Sequence, residues 1–192
     1  MRNNKAALPI FIALIIAISV SICSCKPSES DSVSSLAVSS ALSEAEKIEM
    51  AYREELSFAP NSNSSETSES VIKEHIARLI TIDETGAERQ GVSFVEYNAK
   101  LSENRSLVVE GYLRNFSDNE IYNIECNITV INAETQDYVA ASHFKFPENT
   151  YGSLKNKKSR PVTLSFDADY VNVGNADLSK LSFSSEFTFS QK

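Results

Sequence analysis

The chain has 192 residues, with 18 Lys and Arg set against 26 Asp and Glu, for a net charge of −8. That acidic balance argues against nucleic-acid binding, which needs a basic face for the phosphates. Three cysteines and two histidines are too few and too scattered for a disulfide framework or a zinc site of the usual spacing.

Arg2 and Lys5 open the chain, and an apolar run from Ala6 to about Ile22 follows, interrupted by Pro9. A basic start, an apolar middle and small residues at the exit describe a secretory signal over residues 1–24. The run falls short of the ~20 apolar residues that a spanning helix needs. Ile22-Cys23-Ser24-Cys25 then sets an aliphatic residue three places before a cysteine and a small residue immediately before it. This is the pattern of lipoprotein processing, with Cys25 as the acylated residue. Only a sulfur nucleophile forms the thioether. Two or three acyl chains give stable attachment where one is marginal. The expected location is therefore the cell membrane, lipid-anchored and facing outward. Removal of the signal takes Arg2 and Lys5 with it and leaves the remainder more acidic still.

Residues 25–43 read as the lipidated cysteine and a flexible Ser-rich tether, because the stretch is too poor in apolar residues to order itself. As a coil it spans roughly 23 Å. Ser43-Glu44-Ala45-Glu46 has capping-box spacing, and Ile48, Tyr52 and Leu56 share a helical stripe. A short helix is predicted over 44–57, read as a frayed spacer because isolated helices of this length are weak in water, with a docking helix as the alternative. Residues 58–70 form a second Ser/Asn/Glu linker. Residues 71–90 form a helical lead-in, with Val71, Ile72, Ile76, Leu79 and Ile80 on an amphipathic face, ending before the turn-prone Asp83 to Gly86.

From Val92 the apolar period changes to two, and residues 91–192 read as the β domain. Leu107, Val109, Gly111 and Leu113 alternate with Val108, Glu110, Tyr112 and Arg114. Tyr122, Ile124, Cys126, Ile128 and Val130 form the next face. Tyr138, Ala140, Ser142, Phe144 and Phe146 form another, followed by Val162, Leu164 and Phe166, then Leu181, Phe183, Phe187 and Phe189. Six or seven short strands separated by turns indicate an all-β antiparallel sandwich of immunoglobulin-like type. The half-polar alternation predicts one solvated face for each sheet.

No catalytic set emerges, and neither an enzyme nor a cofactor is expected. His75 and His143 lie on different elements. A hydrolase built from His143 and the plentiful serines is the remote alternative, since nothing resembles a nucleophile elbow. The five glycines are scattered singly and make no phosphate-cradling loop. Cys126 shares the parity of its apolar neighbours and reads as a buried small hydrophobe. Asp167, Asp169, Asn172, Asn175 and Asp177 lack EF-hand spacing and read as turn residues, with a Ca²⁺-holding loop as the remote alternative. Lys155, Lys157, Lys158 and Arg160 read as a solvated basic turn guarding a strand. Tyr97, Tyr112, Tyr122, Tyr138, Tyr151 and Tyr170 are candidates for an aromatic surface facing a glycan or protein.

Gly111-Tyr112-Leu113-Arg114-Asn115, Val139-Ala140 with Phe144, Ser159-Arg160-Pro161 with Phe166, and Asp177-Leu178-Ser179 together resemble the SLAP domain of Gram-positive bacteria. The same strand end before a long hairpin is similar to the FxLYD-type immunoglobulin-like module. Val162 stands where the SLAP pattern has Trp, and Val130 to Ala133 stand where the FxLYD pattern has Leu-Tyr-Asp. The resemblance covers about Val92 to Phe189. Either family implies an extracellular β-sandwich without catalytic residues, and SLAP implies a link to surface-layer assembly or accessory secretion. The reading is thus a membrane-anchored lipoprotein that presents an interaction module to an envelope protein or wall polymer. The alternative is a structural or chaperone-like accessory in envelope assembly or export.

Overall fold

A computed structural model describes residues 42–174 and 177–192, so Cys25, the signal and most of the tether lie outside the described residues. Two helices lead, α1 (Glu44–Glu55) and α2 (Glu69–Glu84). Six strands follow: β1 (Gly91–Leu101), β2 (Leu107–Phe116), β3 (Ile121–Asn132), β4 (Tyr138–Phe146), β5 (Lys158–Phe166) and β6 (Leu181–Gln191). A single helical turn, α3 (Glu148–Tyr151), joins β4 to β5. The strands form two antiparallel sheets, ordered β1-β2-β5 and β4-β3-β6. The all-β expectation holds.

The core lies between the sheets. Leu107, Val109, Leu113, Leu164 and Phe166 from the first sheet meet Ile124, Cys126, Ile128, Val130, Val139 and Phe146 from the second. The expected parity is kept along most strands because a side-chain period of two commits each strand to one face. Cys126 is buried as expected, and burial pushes its thiol up to about 11, which makes it unreactive.

The register slips at three places, and two of the slips move residues off their expected faces. Asn123 adopts a positive φ of 46° where the β3–β6 register slips between Tyr122 and Glu125. Ile121 therefore enters the core and Tyr122, expected there, turns outward. A second slip between Val130 and Ile131 pairs Ile131 with Tyr138. It buries Val139 and Ala140 together and leaves Tyr138 exposed. An extra residue in one strand does this in general.

The capping box at α1 is formed. Ser43 Oγ accepts from the Glu46 amide at 3.3 Å, and Glu46 accepts from the Ser43 amide at 2.8 Å. The frayed-spacer reading fails, however, and the docking-helix alternative holds. The last turn of α1 is docked: Glu55 is buried, and the Ser57 amide donates to the Ser159 carbonyl of β5 at 2.9 Å. The α2 helix continues through Asp83, past its expected end, because Leu79 and Ile82 pack on Tyr112 of β2. The outer face of the first sheet is therefore covered by helices, and the expectation of one wet face per sheet holds only for the second. Tyr112 and Arg114, which alternate with the core residues of β2, are both fully buried beneath α1 and α2.

Candidate functional site

The covered face of the first sheet carries the most concentrated chemistry among the described residues. Its first part is an ion network. From β2, Arg114 sends Nη2 to Glu55 Oε1 of α1 at 3.0 Å and Nη1 to Asp83 Oδ1 of α2 at 2.8 Å. Its Nε donates to Ser159 Oγ of β5 at 3.2 Å. Arg89, just after α2, bonds Glu55 Oε2 at 2.6 Å and also reaches Asp83. Tyr52 of α1 donates to Asp83 Oδ2 at 2.8 Å. The Phe116 ring receives both guanidinium groups, Arg89 at 4.6 Å and Arg114 at 4.8 Å.

Two arginines and two carboxylates leave this network neutral. Arg114, Glu55 and Asp83 lie deep, where charges are tolerated only when paired and hydrogen-bonded, and each of the three is. Burial pushes the Asp83 carboxyl up, yet hydrogen bonds from Arg114 and Tyr52 and the charges of Arg114 and Arg89 outweigh it, so its pKa lies below the usual carboxylate value.

A depressed folded-state pKa gives stability that is fully present above the unfolded value, about 3.9 for Asp, and lost as pH falls through the folded value. Thermal melts from pH 6 to pH 2.5 should show the midpoint falling below about pH 4. Asp83→Asn should already be destabilised at pH 6 and lose less on acidification. Parallel acid profiles for the two proteins would rule this linkage out.

Beside the network lies a groove of about 450 Å³. One wall is the 58–66 segment with the first turns of α2, the other is β5 with Tyr97 of β1 and Glu110 of β2. His75 projects from α2 at its floor. The Tyr112 hydroxyl stands 2.7 Å from His75 Nδ1, and Phe58 and Tyr112 both meet the imidazole edge-on. Burial, then the Arg78 charge, holds His75 below its ordinary pKa. The imidazole is therefore neutral at pH 7, hydrogen-bonded through Nδ1 to the Tyr112 hydroxyl, which also lies 3.3 Å from the His75 carbonyl oxygen. Arg78 lies over the Tyr97 ring at 4.2 Å and pairs with Glu74.

Each groove carboxylate has a partner. Besides the Glu74–Arg78 pair, Glu110 takes Lys100 at 3.0 Å and Asn98 at 2.9 Å. Glu66 accepts from the amide and side chain of Asn63 at 3.1 and 3.0 Å.

Arg160 is the exception. It lines the groove, is only 3% exposed, and has no carboxylate partner among the described residues. Its guanidinium donates to the Tyr151 and Ser153 carbonyls and, at 3.2 Å, to Ser57 Oγ. Its Nε is buried without a partner. The expected solvated basic turn is thus corrected at its last member. Lys158 is also engaged, donating to the Glu54 carbonyl of α1. The cause is the docking of α1 and residue 57 on the start of β5, which nothing in the local sequence reports.

The remaining expected residues fall elsewhere. His143 sits on the outer face of the second sheet, at 2.8 Å from Asn127 and 3.0 Å from Glu125, with Lys145 on the same glutamate. Asp167 and Asp177 cap their own short helical turns by accepting from the Asp169 and Ser179 amides, which is the expected turn role. Asn175 lies outside the described residues. Tyr97 and Tyr151 reach the groove, Tyr112 lies under α2, and Tyr138 and Tyr170 are exposed singly. Among the described residues no helix is long and apolar enough to cross a membrane.

The family model of the SLAP domain matches residues 56–187. The chain belongs to the SLAP domain family. The match begins ahead of α2, so the helix set apart as a lead-in lies inside the SLAP span, as does the groove wall at 58–66. The SLAP domain is a surface-associated family. No curated protein matches the chain. A protein of Arabidopsis thaliana solved in solution is similar at 12% identity, over 54% of this chain and 85% of its own, with a TM-score of 0.32.

Proposed function

We propose that this SLAP protein is an extracellular lipoprotein, held at the cell membrane by acyl chains on Cys25, whose β-sandwich is a non-catalytic interaction module contacting its partner through the α2–β5 groove. The observation that carries the reading is the way the helices sit on the first sheet. The buried network fixes α1 and α2 there, and the groove they leave is lined by Phe58, Tyr97 and Tyr151 with a few convergent polar groups. A cleft of several hundred cubic ångströms with that lining is the usual form of a binding site. The partner class is an envelope protein or a wall polymer. Confinement to the membrane plane raises its effective concentration toward the domain.

Metabolic labelling with a clickable palmitate analogue should mark the protein, and Cys25→Ala should abolish the label; an undiminished label removes the anchor. For the groove, a photo-crosslinking phenylalanine at position 97 should give a discrete adduct on intact cells. The same group at Thr188, on the outer face of the second sheet, should give none. Adducts from position 188 alone would end the groove reading. The family match also favours a second reading, an accessory in envelope or surface-layer assembly or in export. It predicts that the adduct is an assembly or export component.

A further inference from the structure

Arg114 and Arg160 are both buried on the first sheet, Arg114 on its helix-covered face in register with Ser159 and Arg160 on its inner face in register with Leu113, at the β5 edge that the groove reaches. Arg114 meets two carboxylates. Arg160 meets only two carbonyls and a hydroxyl, with Nε unpartnered. An unpaired buried charge is costly unless something else neutralises it. Glu66, Glu74 and Glu110 line the same groove, but Asn63, Arg78 and the Lys100–Asn98 pair already hold them. What the groove lacks is an anion at Arg160.

We propose that the groove binds an organic carboxylate with an apolar or aromatic body, of the size of a short peptide ending in a free C-terminus, and that Arg160 is the residue that receives the carboxylate. This deepens the reading of the groove as the contact surface and rests on it.

Four features argue for this class. Nε and the neighbouring amino nitrogen share one edge of the planar guanidinium, the fork that takes a carboxylate side-on with two parallel hydrogen bonds. The group displaced is the Ser57 hydroxyl, at 3.2 Å the longest of the Arg160 contacts. The two carbonyl contacts keep the fork oriented in advance. Finally, Phe58, Tyr97 and Tyr151 supply an aromatic lining, and about 450 Å³ accommodates two to three residues.

The test is calorimetric titration of the full chain in detergent with the tripeptide Ala-Ala-Phe as the free acid and as its C-terminal amide. The free acid should bind saturably, and the amide at least about tenfold more weakly, the loss of a charge-assisted fork. Arg160→Gln should abolish the difference. Because that change also frees the Tyr151 and Ser153 carbonyls, the second variant is Thr163→Glu, at an exposed position on β5 in the groove wall. It should weaken the acid about tenfold through like-charge repulsion and leave the fold intact, while Thr188→Glu on the far sheet changes nothing. Equal affinity for acid and amide, no binding of either, or binding indifferent to Thr163→Glu overturns the carboxylate. If position 97 still crosslinks in cells, the groove reading survives that result; if it does not, both fall.

Discussion

Arg114→Ala is expected to lower the thermal midpoint by on the order of 10 °C, from a loss of about 3–5 kcal/mol in a domain of this size. The substitution strips Glu55 and Asp83 of their shared cation at a site where Arg114 is fully buried and Glu55 is 5% exposed. Arg89 remains on both carboxylates, but it is itself 44% exposed and balances only one of the two charges. The other carboxylate must be protonated, hydrated or released. The simplest release is undocking of the last turn of α1, which also removes Ser57 from Ser159 and opens one end of the groove. The variant should therefore lose protection from hydrogen exchange in α1 and α2 before it loses any in the second sheet.

The comparison that isolates burial is Arg53→Ala. Arg53 pairs with Glu69 at 2.6 Å, but both side chains are well exposed, at 39% and 60%. A solvated pair of this kind contributes little to stability, so this variant should melt with the wild type. Equal losses for the two arginines would mean that the network holds nothing together. Replacing Glu55, Asp83 and Arg114 together by apolar residues of similar volume should recover most of the stability lost in the single variant, since the expense lies in the unpaired charge rather than in the absent pair.

The strands were legible in the sequence and the site was not, for one physical reason. A strand declares itself locally, through the alternation of Leu107, Val109 and Leu113 or of Ile124, Cys126 and Ile128, because each residue needs only its own parity to find the core. Even that rule breaks at a bulge, where Asn123 and Val139 exchange the faces of their neighbours without any apolar signal. The network is assembled from residues far apart in the chain, Glu55 and Arg114 being 59 positions apart. Glu55 belongs to the run Arg53-Glu54-Glu55, which reads as a solvated helix end. Arg160 follows three lysines and reads as surface. Glu55 is buried because α1 lies across β2 and β5, and Arg160 because Ser57 and the 151–153 segment close over it; a fact about docking has no local pattern. The one available signal was that Tyr112 and Arg114 alternate with core residues on a strand whose other face was expected to be wet. A large aromatic and a cation on that face are a poor match for plain solvation.

The motif Gly111-Tyr112-Leu113-Arg114-Asn115 shows how much a short run can hold once the fold assigns each residue a place. Leu113 enters the core, Tyr112 and Arg114 lie under the helices, and Asn115 donates to the carbonyls of Asn119 and Leu154 at 2.8 Å each. Gly111 is there for space. A Cβ at this position would stand 2.6 Å from the Val95 carbonyl oxygen and 2.6 Å from the Phe94 ring. Its φ is not positive, so the barrier to substitution is steric rather than conformational.

Gly111→Ala should therefore be destabilising, although alanine is the better residue in a strand on entropic grounds. Phe94 can rotate only by giving up its edge contact with Phe183 across the sandwich at 6.3 Å. The Val95 carbonyl belongs to the β1–β2 ladder and cannot retreat without loosening it. Overpacking of this kind costs about 1–3 kcal/mol, and the backbone contact puts Gly111→Ala at the upper end. Urea unfolding should show a lower midpoint at an unchanged slope. Adding Phe94→Leu should recover part of the loss, because it relieves the ring contact and leaves the carbonyl contact in place. Full recovery would show that the ring alone excludes a side chain at 111. No recovery would show that the ladder does, and a variant as stable as the wild type would mean that β1 and β2 do not approach as closely as the register requires.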